Sequence, residues 1–200
     1  MGATLGPVTF SPFPALYIAE NYPTAYNERF GSEPSASGRG LTSDELALRG
    51  PGSFTHVALR GRIELVMDIR ETHSLQRIAS VLRKFSLPGN VRYLARRLNM
   101  RSPPGLVRSA AALQRQLLHK DWRTLPMQFD LPSNSQIFGR IAVAAGAHAI
   151  LYSSVRQEGS ACLALFPQNW AKTSSFVEVM DGTPSQARLT RIDGGIRDFY

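Results

Sequence analysis

An α+β fold follows from three features of the sequence. Some segments alternate apolar and polar residues with period two, others repeat apolar residues at helical spacing, and the two kinds follow no regular βαβ order. The 200 residues are 43% hydrophobic, enough for one well-buried core. A single compact domain over 1–200 is therefore expected, with a mixed or split β-sheet core flanked by helices.

Taken in order, Ala15 to Ala19 (ALYIA) is a short apolar run that reads as a buried strand. A helix follows, with Asn21 as its N-cap and Pro23 and Thr24 in the first turn, where a missing N–H costs nothing. It carries Tyr26, Asn27 and Glu28 and stops near Gly31. Small and helix-breaking residues (SEPSASGRG) open a flexible loop over about 31–53. From Phe54 to Ile69 the pattern has period two, with Val57, Leu59, Ile63, Leu65, Met67 and Ile69 on one face. That is one long strand, or two bent at Gly61.

Thr72 or Ser74 caps the next helix, whose Leu75, Ile78, Ala79 and Leu82 share one side, and Leu87 to Asn90 ends it. Val91 to Arg123 reads as helical, interrupted by Ser102 to Gly105, and its arginines (Arg92, Arg96, Arg97, Arg101, Arg108, Arg115, Arg123) make it the basic centre. A solvated helix face explains that charge more simply than a phosphate groove does. Ser133 or Asn134 caps a helix running to Gly146. Ala149 to Tyr152, Ala161 to Phe166 and Phe176 to Met180 then read as strands. The tail over 183–200 is an edge strand or a partly ordered end.

Composition bounds the function. A net charge of +8 favours an anionic partner: nucleic acid, an acidic protein or a phosphate-bearing small molecule. No recognition helix or aromatic platform accompanies the basic residues, so nucleic-acid binding is expected to be weak and non-specific. The longest apolar runs, Ile141 to Leu151 and Ala161 to Phe166, fall short of the roughly 20 residues that cross a bilayer. The N-terminus lacks a basic region ahead of an apolar stretch, so the chain reads as cytoplasmic. Cys162 is the only cysteine and reads as a small buried strand residue. The four histidines show no ligand spacing, and no metal site is expected. There is no GxGxxG, GxxxxGK[ST] or GxSxG either.

Two segments stand out: ALYIAENYPTAYNE, and AILYSSVRQEGSACLALFPQNW. Together with the Asp121-Trp122 pair and the basic middle between them, they make the chain resemble the RES domain family, named for an arginine, a glutamate and a serine. The resemblance covers most of the chain. It implies a fold like that of ADP-ribosylating toxins, NAD⁺ as substrate with no separate cofactor, and a cognate antitoxin or immunity protein as partner. It matches Glu28 and Ser154 to the family's glutamate and serine as catalytic residues. Tyr17 is matched to the tyrosine beside the pocket, Arg156 to the arginine just after the serine and Asn169 to the asparagine that closes the last block, and with Tyr152 they are the substrate-binding candidates. The family's arginine upstream of the first strand has no counterpart in Gly6 to Phe10. Either it lies ahead of Met1, or Thr9 replaces it, or Arg39 in the glycine-rich loop fills its place. Without the resemblance, Glu28 is a solvated helix carboxylate, Ser154 a turn cap, Tyr17 and Tyr152 core aromatics, and Arg156 a surface partner of Glu158.

The implied activity is cleavage of the nicotinamide–ribose bond by water or phosphate, in the manner of an NAD⁺-consuming toxin acting in the cytosol. Transfer of ADP-ribose to a macromolecule is a second reading. An inactive basic binding module is a third, and the absent arginine favours it.

Overall fold

The computed structural model describes residues 14–30, 56–84, 93, 96–97, 99, 107, 109–118, 134–180, 182 and 189–195. They are α+β, with the strands split between two sheets. The chain groups into two compact units that share it discontinuously: a sheet unit of residues 14–66 and 147–200, and a helical unit of 1–13 and 67–146.

In the sheet unit, β1 (Leu16–Ala19) leads into helix α1 (Tyr22–Phe30). Asn21 caps α1 as its side chain requires: Oδ1 accepts from the Thr24 N–H at 3.0 Å and from the Thr24 hydroxyl at 2.8 Å. Strand β2 (Leu59–Arg62) follows, β3 (Val66–Asp68) starts at the unit's boundary residue Val66, and, after the helical segment, come β4 (Ala149–Ser153), β5 (Ala161–Leu165), β6 (Phe176–Val179) and β7 (Arg191–Asp193). One sheet has the order β1-β5-β4-β3 and the other β2-β6-β7. The β1–β5, β4–β5, β2–β6 and β6–β7 pairs are antiparallel.

Because side chains alternate across a strand, the registers Leu16↔Leu165↔Ala149 and Ile18↔Leu163 put one set of apolar residues on one face of the first sheet. That face packs with Trp170, Val177, Ile63 and Ile192 to form the unit's core. The opposite face carries Tyr17, Ala19, Ile150, Tyr152, Cys162 and Ala164.

The alternation over 54–69 proves to be two strands in different sheets, and the break falls after Arg62, not at Gly61. Glu64 causes it. Its N–H donates to Ser175 Oγ at 3.1 Å, and its carboxylate accepts from both the N–H and the hydroxyl of Ser174. A common apolar face is therefore lost: Ile69 is buried, whereas Leu65 is 59% exposed. Gly61 lies within β2, where a Cβ would come 2.3 Å from the Phe176 carbonyl oxygen. The tail supplies β7 as an edge strand.

In the helical unit, neither Thr72 nor Ser74 caps an α-helix. Thr72–Leu75 forms a 3₁₀ turn entered from Glu71, and α2 (Gln76–Leu82) continues from it. The Thr72 hydroxyl is instead spent on Gln114 Oε1 at 2.6 Å, while Gln114 Nε2 donates to the Ile69 and Arg70 carbonyls. Gln114 belongs to α3 (Ala110–Leu117), which Ser109 caps through the Ala112 N–H. Helix α4 (Asn134–Ala144) ends at Gly146, whose φ of +80° suits the left-handed position after a helix. Leu75, Ile78, Ala79, Leu82, Leu113, Phe138 and Ala142 are buried. In the basic centre, Tyr93, Arg96 and Arg97 are helical and exposed, with Arg97 over the Tyr93 ring at 5.8 Å. The loop over 31–53, the Leu87–Asn90 stop, Ser102 to Gly105, the Asp121-Trp122 pair and Ser133 lie outside the described residues.

Candidate active site

Ser154 opens the turn between β4 and β5. Its N–H donates to the Ser160 carbonyl at 2.9 Å, and Gly159, at φ +81°, takes the left-handed position that closes the turn. The Ser154 hydroxyl organises the turn from within, accepting from the Arg156 N–H at 3.2 Å and the Gln157 N–H at 2.9 Å, as serine does in local side-chain turns.

Its one proton goes to Glu28. Ser154 Oγ donates to Glu28 Oε1 at 2.5 Å, and the Val155 N–H donates to the same oxygen at 3.2 Å. Two residues 126 positions apart in sequence are thus in direct contact, both within the sheet unit. A hydroxyl has one donor and two lone pairs, and all three are engaged at Ser154. Its geometry suits holding Glu28 better than touching a substrate. Glu28 Oε2 has no partner among the described residues. Glu28 reaches this position because it lies one turn beyond Thr24, which is fully buried, and so shares its side of α1.

Tyr152 and Cys162, on the sheet face opposite the core, feel the Glu28 charge. Burial pushes the Tyr152 phenol far above its ordinary range, with Cys162, the Glu28 charge and Tyr17 adding to the effect. The Cys162 thiol is pushed up to about 11 by burial and by Glu28. Both groups therefore hold their protons at neutral pH, and Tyr152 hydrogen-bonds with Cys162. Tyr17 is on this face through the register Tyr17↔Ala164↔Ile150, with 68% of its surface open.

The other expected site residues are placed differently. Arg156 is half-buried, and its backbone N–H serves Ser154. Asn169 Nδ2 donates to the Ala147 carbonyl at 2.8 Å, so this amide fastens the chain's own backbone. Arg39 and Thr9 lie outside the described residues. The sequence reading missed three groups. Asn27 Nδ2 donates to Gln157 Oε1 at 2.8 Å, and Glu20 extends the β1–β5 pairing by accepting from the Ala161 N–H at 2.9 Å. Asn27 and Gln157 each adjoin a singled-out residue in sequence, but only the turn geometry shows that they meet.

A cavity of about 330 Å³ lies elsewhere, lined by Lys172, Thr173, Ser174, Ser175, Arg191 and Asp193 among others. It contains none of the expected site residues. Its hydroxyls and its carboxylate are taken up internally: Thr173 bonds the Trp170 carbonyl, Ser174 bonds Glu64, Ser175 bonds His148, and Asp193 bonds Arg191. Among the described residues no group of three or more His, Cys, Asp or Glu side chains could hold a metal ion, and no helix is long and apolar enough to cross a membrane.

The RES domain family matches residues 8–186 of this chain. The chain belongs to that family. Comparison with curated proteins and with solved structures found no match. RES domains are known in toxin–antitoxin systems. In this RES domain Glu28 and Ser154 form a hydrogen-bonded pair at the β4–β5 turn.

Proposed function

We propose that this RES domain consumes NAD⁺ by breaking the bond between nicotinamide and ribose. The observation that carries the reading is the Ser154–Glu28 hydrogen bond, which fixes one carboxylate oxygen, Oε1, at the β4–β5 turn. The chemistry needs little more. In NAD⁺ the pyridinium nitrogen already bears a positive charge. When the C1′–N bond breaks, its electron pair neutralises that nitrogen and nicotinamide leaves without a general acid. The positive charge then spreads over C1′ and the ribose ring oxygen, where a fixed carboxylate stabilises it electrostatically. Water adds at C1′ and loses a proton, giving ADP-ribose, or inorganic phosphate adds and gives the 1-phosphate.

The surrounding groups fit such a substrate. Tyr152 stays a neutral phenol beside the carboxylate, so it does not compete with Glu28 for the cationic centre. The open ring of Tyr17 offers a stacking face for an aromatic base. NAD⁺ is the substrate, and no separate cofactor is required. A chain that depletes NAD⁺ in the cell that makes it needs a restraint, and the family's toxin–antitoxin setting points to a cognate antitoxin or immunity protein.

The test is incubation of purified protein with NAD⁺ and identification of products with and without phosphate. Free nicotinamide with ADP-ribose or its 1-phosphate is the expected result, and Glu28→Gln, which keeps the shape but removes the charge, should fold and lose NAD⁺ turnover by at least about a hundredfold. Label recovered only on protein would instead mean ADP-ribosyl transfer. A folded, fully active Glu28→Gln variant, or an inert wild-type protein, would remove the proposal.

A further inference from the structure

Glu28 is held through Ser154, and Ser154 is held by the β4–β5 turn. Besides the bonds to Glu28, a second side-chain contact joins that turn to α1. Asn27 Nδ2 donates to Gln157 Oε1 at 2.8 Å across 130 residues of sequence, and both side chains are half-buried. Gln157 also donates its backbone N–H to Ser154 Oγ, while Asn27 is the immediate neighbour of Glu28. The four residues close a ring: Asn27 to Gln157 by side chains, Gln157 to Ser154 by the backbone N–H, Ser154 to Glu28 by the hydroxyl, and Glu28 to Asn27 by the peptide bond.

We propose that the Asn27–Gln157 pair is a positioning clasp that sets the angle at which Glu28 presents its carboxylate. The proposal rests on the reading of Glu28 as the charge that faces the ribosyl centre. Neither member need touch the substrate. Opening the clasp frees the turn to tilt, which loosens the Ser154 hydroxyl and lets the carboxylate turn away. Misplacement of about an ångström at a reacting centre costs up to a hundredfold in rate, so a partial loosening should lower kcat about tenfold and leave KM within about twofold.

Shape-preserving variants, Gln157→Met and Asn27→Leu, remove the hydrogen bond while filling the same space. The exchanged pair Asn27→Gln with Gln157→Asn keeps one long and one short amide and should restore most of the rate. Hydrogen exchange at the Val155 and Gln157 amides, which bond Glu28 and Ser154, reads the clasp without reference to catalysis. Both should lose protection in the single variants and recover it in the exchanged pair, with the β4–β5 ladder unchanged. Single variants with wild-type kcat and wild-type protection at these two amides overturn the clasp. If the wild-type protein leaves NAD⁺ intact, the reaction assigned above falls, and the exchange data alone decide whether the clasp fixes Glu28. Loss of protection throughout the sheet would make the contact a general structural one and would also overturn the proposal.

Discussion

The Cys162 thiol is 3% exposed, and its ionisation is raised from 9.0 to about 11, by burial first and then by the nearby carboxylate of Glu28. A group whose folded value lies above its unfolded one favours folding fully below the unfolded value and loses that advantage as pH climbs through the folded value. Stability should therefore fall between about pH 9 and pH 11, as the unfolded thiol ionises while the folded one cannot. Tyr152, shifted in the same direction from 10, extends the loss to higher pH. The urea midpoint measured over this interval should decline, and less steeply in Cys162→Ala. A midpoint that stays flat in the wild-type protein would mean that the thiol is not withheld from solvent. The sequence revealed that Cys162 is small and buried, since ACLALF reads as a strand. That it lies beside Glu28 was hidden, because the register between β4, β5 and β1 is a long-range property.

At the scale of elements, the sequence was most legible where a local rule governs. Asn21 caps α1 because its short side chain reaches the Thr24 N–H, and β4, β5 and β6 fall where apolar runs end at turn residues. It was least legible over 54–69, where a period-two pattern conceals a change of sheet at whose break Glu64 bonds the distant Ser174 and Ser175. Nor could it show that Thr72 prefers Gln114 to its own helix end. Two substitutions test these elements. Asn21→Ala should cost about 1 kcal/mol, the usual worth of an N-cap. Gly61→Ala should cost about 1–3 kcal/mol or more, as overpacking does, because the added methyl meets the Phe176 backbone carbonyl of the paired strand as well as Val177. Urea denaturation checks both, and an unchanged midpoint for Gly61→Ala would mean that β2 and β6 are spaced more widely than described.

For the molecule as a whole, the charge of +8 is the broadest prediction-bearing property. Exposed arginines such as Arg96 and Arg97, without a base-reading element among the described residues, should give weak binding to random DNA. That binding should fall steeply between roughly 50 and 200 mM salt, as counterion release requires. Fluorescence anisotropy with a labelled duplex measures it, and salt-insensitive, sequence-selective binding would favour a nucleic-acid module over an NAD⁺ enzyme. The site itself was half legible. Motif order along the chain singled out Glu28 and Ser154, but their hydrogen bond, and the turn that arranges it, exist only in three dimensions.

The pairing of β1 with β5 carries one more consequence, concerning the order in which a ribosome delivers the chain. β1 stands at an edge of its sheet with β5 as its neighbour, and Leu16 pairs with Leu165. The first strand and the helix bearing Glu28 are made before β5 and the turn that precedes it, with about 130 residues lying between Phe30 and Ala161. A nascent polypeptide therefore carries the carboxylate without the turn that fixes it, and long-range closure of this kind comes late in folding. For an enzyme of the proposed kind, a translation product cut short before Ala161 lacks β5 and should be inactive, which an NAD⁺ assay of the truncated product checks.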